Sequence, residues 1–247
     1  MSAKDEARVA LLIAAHGERS EGATNDGVKR IAQAVSARRL VAEVGVGFIN
    51  GVPTIGEAFA ALTAPRIIVY PLFASSGYFT RDRLVQLLDE ANDQGRSVEV
   101  LPPFGLDPGL PGLVLDRATK VARESGLAPG NCALILLAHG SRRNAASREA
   151  TEQVARAIES RVAFRSVDIA LLEERPLLDE VMAAVEGPAV VVGMFSGEGL
   201  HGARDATRLI AELCRKDVVY AGGIGNVAGI EALVARAAAG AVRRAAP

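Results

Sequence analysis

The sequence predicts an α/β protein made of two duplicated lobes, each a doubly wound, mainly parallel four-stranded sheet flanked by helices. Three observations predict it. Short apolar runs alternate with segments whose apolar residues recur at helical spacing, the pattern of strands joined by helical crossovers. The runs are β-branched and lack strict apolar–polar alternation, as expected of strands covered on both faces. The chain also repeats itself. His16-Gly17 and His139-Gly140 stand 139 − 16 = 123 residues apart, and the same offset relates Pro53 to Pro176, Glu57 to Glu180, Pro65 to Pro188, and Arg81-Asp82 to Arg204-Asp205. That period is too long for a solenoid and suits a duplicated lobe.

In the first copy the order reads strand Val9 to Ala14, helix Asn25 to Arg38, strand Val41 to Phe48, helix Thr54 to Leu62, strand Arg66 to Tyr70, helix Arg81 to Asn92, strand Ser97 to Leu101, helix Gly109 to Ser125. Ile31 and Val35 mark the apolar face of one helix, and Leu84, Leu87 and Leu88 that of another. Gly126, Pro129 and Gly130 break the pattern, so the lobes are expected as residues 1–126 and 127–247. The second copy repeats the order with strands Cys132 to Leu137, Val167 to Leu172, Ala189 to Met194 and Val218 to Tyr220. Its helices are Ala145 to Arg161, Leu177 to Val185, Ala203 to Arg215 and Ala228 to Arg243. In the last quarter the offset falls to 120, pairing Gly105 with Gly225 and Leu113 with Leu233. The alanine- and arginine-rich final helix lacks a bulky apolar face and reads as an amphipathic surface helix.

At 247 residues and 49% apolar content the chain can bury a large core and is not a disordered one. A net charge of −1 leaves no basic footprint for nucleic acid, so an anionic ligand would have to be held by local arginines. Cys132 and Cys214 have no metal-ligand spacing and read as small buried hydrophobes in a reducing cytoplasm. The polar start, Met1 to Glu6, is unlike a signal peptide, and no apolar run approaches the ~20 residues of a membrane span.

The chain has three histidines, His16, His139 and His201, each expected just beyond the carboxyl end of a strand, where open α/β sheets bind ligands. His139 and His201 follow strands expected to be neighbours. Two neutral imidazoles and a carboxylate suit a divalent first-row metal such as Co²⁺ or Fe²⁺. The candidate acids are Glu173, Glu174 and Glu198, with Glu173 preferred because its repeat counterpart, Asn50, is also polar. Arg19, Arg142, Arg143, Arg81 and Arg204 sit near the same turns and suit carboxylates. Asp82 and Asp205 are placed to cap a helix or orient an imidazole. Gly222-Gly223-Ile224-Gly225 is not the spaced dinucleotide fingerprint and reads as a tight turn.

His139-Gly140-Ser141-Arg142 after an apolar strand, a glutamate-bearing turn before Pro176, His201 four residues ahead of Asp205, and Pro102-Pro103-Phe104-Gly105 together resemble the class II tetrapyrrole chelatases, closest to the sirohydrochlorin cobalto- and ferrochelatases. The resemblance covers nearly the whole chain in the family's two-lobe form. It implies a chelatase-like fold and insertion of Co²⁺ or Fe²⁺ into a sirohydrochlorin-type tetrapyrrole, in cobalamin or sirohaem synthesis. It also implies that His139 and His201 bind the metal and assist deprotonation, with Glu173 as acidic partner. Tyr78 replaces the second histidine of the first lobe and Asn50 replaces its acid. The active constellation is therefore expected in the second lobe, with His16 facing it across the cleft. Arg19, Arg142, Arg143 and Arg204, with His16, would receive the macrocycle carboxylates. No organic cofactor is expected, the metal being a substrate. Expected partners are the anionic tetrapyrrole and the metal ion, without nucleic acid or membrane, for a monomer or homodimer. The alternatives are a non-catalytic metal or tetrapyrrole carrier descended from a chelatase and a phosphohistidine-type enzyme.

Overall fold

The computed structural model describes residues 8–17, 25–196 and 200–244, excepting the side chains of residues 79, 81, 200–204 and 226. In the first half, strands β1 (Val9–Ala15), β2 (Glu43–Phe48), β3 (Arg66–Leu72) and β4 (Ser97–Val100) form one sheet, and helices α1 (Asp26–Ser36), α2 (Ile55–Ala61), α3 (Leu84–Ala91) and α4 (Leu110–Glu124) alternate with them. The second half repeats this as β5 (Ala133–Ala138), α5 (Ala146–Glu159), β6 (Ser166–Leu171), α6 (Leu178–Ala184), β7 (Ala189–Gly193), α7 (Leu200–Glu212), β8 (Val218–Gly223) and α8 (Ile230–Arg244). Both sheets are wholly parallel and have the same strand order, β2-β1-β3-β4 and β6-β5-β7-β8.

The central strands explain the unbroken apolar runs. Ala10 to Ala14 in β1 and Ala133 to Leu137 in β5 are fully buried, because helices cover both faces of each sheet. Helix boundaries follow local chemistry. Thr54 and Glu57 form a reciprocal capping box at α2, the Thr54 N–H donating to Glu57 Oε2 at 2.8 Å and the Glu57 N–H to Thr54 Oγ1 at 3.2 Å. At α6 only half survives: the Leu177 N–H donates to Glu180 Oε2 at 3.0 Å, and leucine has nothing to return.

The compact units depart from the expected division at 126/127. One comprises Met1–Asp107 with Ala228–Pro247, the other Pro108–Val227. Thus α8 belongs with the first sheet, where it packs on α1 and β3, and α4 packs on α5, β7 and β8 of the second. Arg66 ties α8 down, donating to the Ala241 carbonyl at 3.1 Å and pairing with Glu99 at 2.6 Å. Arg117 of α4 donates to the Ala221 carbonyl of β8 at 2.8 Å. The repeat hides this exchange. Leu110, Val114 and Ala118 of α4 and Ile230, Val234 and Ala238 of α8 are equivalent and fully buried, so either helix offers the same apolar stripe.

Three smaller differences appear. The expected helix at Arg81 begins as a π-helical turn over Phe79–Arg83. Cys132 is buried as expected, but Cys214 lies past the end of α7, exposed and in the left-handed backbone region (φ 51°). Val162, after α5, is also left-handed (φ 49°) and 85% exposed, so a β-branched residue bears backbone strain with no packing to offset it. Val162→Asn is expected to relieve about 1 kcal/mol of that strain. Thermal unfolding should then shift up by about 2–4 °C; an unchanged or lower midpoint would mean the strain is absent.

Candidate functional site

Each sheet delivers a histidine by the same device. In the second unit β5 ends at Ala138, and the His139 carbonyl accepts the N–H groups of Leu172 (3.1 Å) and Glu173 (3.0 Å), clamping the turn to the segment after β6. Gly140 is left-handed (φ +73°), and a Cβ there would lie 2.9 Å from Glu174 Cγ and 3.1 Å from Leu171 Cβ, so glycine alone fits. The clamp sets His139 Nε2 3.1 Å from Glu173 Oε1, with the two side chains 51% and 57% exposed. In the first unit Asn50 N–H donates to the His16 carbonyl at 2.7 Å, and Gly17 has φ +75°. There the paired side-chain atoms are His16 Nε2 and Asn50 Nδ2, 3.3 Å apart. Surrounding protein atoms withdraw water from His16 and lower its pKa below the ordinary value.

The two neighbouring glutamates separate by role. Glu174 Oε1 accepts the Ser141 N–H at 3.0 Å, and Oε2 pairs with Arg148 at 2.7 Å. The Arg148 hydrogen bond, then that of Ser141, holds its carboxyl below the usual range. Glu174 therefore builds the turn, while Glu173 points its carboxylate at the imidazole. Because the folded pKa of Glu174 is depressed, its contribution is full above the unfolded value of about 4.5 and is lost as pH falls through the folded value. Glu174→Gln is expected to cost about 1 kcal/mol at neutral pH. In acid titrations followed by circular dichroism, the stability gap from wild type should close below that window; a gap independent of pH would rule out the ionic role.

The remaining sequence candidates are placed unequally. Arg142 and Arg143 are exposed on the His139 turn; Arg142 Nε donates to the Glu173 carbonyl at 3.1 Å, and the Arg143 N–H to Ser141 Oγ at 3.2 Å. Helix α7 begins at Leu200 rather than Ala203, so His201 and Arg204 lie in its first turns and not in the preceding loop; their side chains are outside the described set. Arg19 and Glu198 lie outside the described residues. Asp205 is too far into α7 to cap it and instead lies 3.6 Å from Arg208. Tyr78, the counterpart of His201, is 60% exposed. Among the described residues, no three metal-binding side chains cluster. A cavity of about 570 Å³ at the start of β6, lined partly by Arg165, Asp168 and Glu186, is at the other end of that strand from Glu173.

Sequence reasoning missed one supporting residue. Gly225 is not left-handed, so the tight-turn reading does not explain it. Its N–H donates to the Phe195 carbonyl at 2.8 Å, and a Cβ would lie 2.3 Å from the Ser196 carbonyl carbon. Gly105 does the same in the first unit, with its N–H 2.9 Å from the Phe73 carbonyl and a would-be Cβ 1.8 Å from the Ala74 oxygen. Both glycines admit close backbone approach beneath the segments leading to Tyr78 and His201. The 120-residue pairing of Gly105 with Gly225 was the available signal.

The sequence model of the CbiX family matches residues 10–121 and again 133–241. The chain belongs to the CbiX family. The first CbiX match spans His16, Asn50 and Tyr78, and the second spans His139, Glu173 and His201. Among similar proteins, a probable sirohydrochlorin cobaltochelatase of Halobacterium salinarum is 24% identical over 218 residues, 79% of this chain and 74% of that one. The solved structure of CbiX described as the terminal enzyme of sirohaem biosynthesis in denitrifying bacteria superposes with TM-score 0.77 at 22% identity, covering 97% of this chain and all of that one. SirB of Bacillus subtilis with Fe³⁺ gives 0.81 at 17% identity, covering 93% and 94%. At such identities the structural likeness shows the shared fold. Among the described residues, no helix of this CbiX chain is long and apolar enough to cross a membrane.

Proposed function

We propose that the protein is a class II tetrapyrrole chelatase, inserting Co²⁺ or Fe²⁺ into a sirohydrochlorin-type macrocycle, with the His139–Glu173 pair at its reacting centre. The observation that carries this reading is the 3.1 Å approach of an exposed imidazole nitrogen to an exposed carboxylate oxygen at a strand end. Membership of the CbiX family supports it, as do the names of the relatives.

The chemistry follows from these groups. A metal to be handed over needs few protein ligands and open coordination positions, because a closed four-ligand site would retain it. A neutral His139 imidazole and the Glu173 carboxylate would supply two donors, and His201, which follows the neighbouring strand β7 in the chain, would be the third. As the pyrrole nitrogens take the metal, two N–H protons leave; Glu173, freed from the ion, accepts one and the released His139 imidazole the other, both then passing to solvent. Arg142, Arg143, Arg204 and Arg19 lie in sequence beside these turns and would receive macrocycle carboxylates. The metal is a substrate, and the reaction needs no organic group.

Anaerobic incubation with sirohydrochlorin and Co²⁺, followed by absorption, tests this directly. Many turnovers per chain are expected. Saturation at one equivalent would indicate the carrier alternative. His139→Ala should abolish most turnover, and His16→Ala should lower it less; the reverse order would move the centre to the first unit.

A further inference from the structure

Two carboxylates, Glu173 and Glu174, stand side by side at the His139 turn, and Arg148 of α5 holds one of them. Its guanidinium pairs with Glu174 Oε2 at 2.7 Å and also donates to the Arg175 carbonyl, so it fixes both the side chain and the backbone that follows. The Arg148 and Glu174 side chains are only 30% and 16% exposed. Glu174 is otherwise well placed to reach a cation at His139. Its Oε1 accepts the N–H of Ser141, two residues past that histidine, at 3.0 Å, and its Cγ would lie 2.9 Å from a Cβ on Gly140. Glu173 differs: its carboxylate faces His139 Nε2 at 3.1 Å, and among the described residues no arginine or lysine pairs with it.

The first unit serves as an internal control. At the repeat equivalents, Gly51 replaces Glu174 and Asn25 replaces Arg148, with a would-be Gly51 Cβ 3.3 Å from Asn25 Nδ2. The His16 turn is nevertheless clamped in the same way, the Asn50 N–H donating to the His16 carbonyl at 2.7 Å. The turn geometry therefore does not require the arginine, which occurs only where a second acid adjoins the first.

Counting ligands shows what the arginine is for. In the chelatase reading the ion takes His139, Glu173 and His201, which leaves coordination positions open for the macrocycle. A freed Glu174 would add a fourth protein ligand and a second negative charge, the closed set that retains a divalent ion instead of passing it on.

We infer that Arg148 is a positioning residue that withholds Glu174 from the metal, so that the His139 turn presents one carboxylate instead of two. This deepens the chelatase reading and rests on it.

The test measures Co²⁺ affinity by calorimetry and cobalt insertion by absorption, both on the full chain. Arg148→Met should bind Co²⁺ about tenfold more tightly than wild type and insert it about tenfold more slowly at saturation. The double variant R148M/E174Q should return both to wild-type values, which the loss of a merely structural brace would not do. Arg148→Lys, which keeps the cation, should stay near wild type. With Arg148 intact, adding Glu174→Gln to Glu173→Gln should leave Co²⁺ affinity where Glu173→Gln alone puts it, a comparison that holds whether or not Arg148→Met folds. Unchanged or weaker Co²⁺ binding by folded Arg148→Met would overturn the inference, as would a further loss of affinity in E173Q/E174Q. Absence of cobalt insertion by wild type, with the Co²⁺ affinities as expected, would instead overturn the chelatase reading.

Discussion

Glu173→Gln should lower kcat/KM for cobalt insertion by about 10²–10⁴-fold while leaving thermal stability within experimental error of wild type. The amide has the shape of the carboxylate but neither its charge toward the metal nor its capacity to accept a pyrrole proton. Stability should hold because the His139–Glu173 pair is about half exposed on each side, and an exposed polar pair contributes little whether or not it is ionised. Co²⁺ affinity should fall with activity. The neighbouring Glu174→Gln should show the opposite emphasis, with stability reduced through the Arg148 and Ser141 contacts. Steady-state insertion kinetics and calorimetric Co²⁺ titration on both variants check the assignment. Wild-type turnover in Glu173→Gln would transfer the role to another acid.

Gly225→Ala should be the most damaging single methyl group in the second unit. Its Cβ would fall 2.3 Å from Ser196 C and 2.6 Å from the Phe195 carbonyl oxygen, both backbone, so the segment leading to His201 must move. A misplacement of about 1 Å at a reacting group costs on the order of 10²-fold in rate, and that is the expected loss. Gly105→Ala meets an even closer contact, the Ala74 oxygen at 1.8 Å, but beneath the first unit's segment. It should reduce stability while sparing Co²⁺ affinity. Equal Co²⁺ affinities in wild type and Gly225→Ala would show that the segment does not position a ligand.

Much of this was legible in the residues because the duplication made it redundant. Alternating elements pointed to two parallel sheets, and the 123-residue offset made His139 the equivalent of His16 and Glu173 that of Asn50; the approach of each histidine to its partner came only with the fold. Polarity alone favoured Glu173, on the argument that Asn50 stands at its equivalent; the structure adds why Glu174 is unavailable, since Ser141 and Arg148 occupy it. The start of α7 was misjudged because Gly199 and Gly202 flank Leu200-His201 and read as loop, yet the helix runs through the second of them.

The alternation of strands and helices, the helix faces and the equivalence of the two halves are local or repeat-encoded properties, and the sequence by itself determined them. Which sheet each fourth helix covers was decided only in three dimensions. The stripes Leu110-Val114-Ala118 and Ile230-Val234-Ala238 are interchangeable by pattern. Only the tertiary partners, Arg117 with the Ala221 carbonyl and Arg66 with that of Ala241, assign α4 to the second sheet and α8 to the first. Apolar periodicity states that a face must be buried, and not against what.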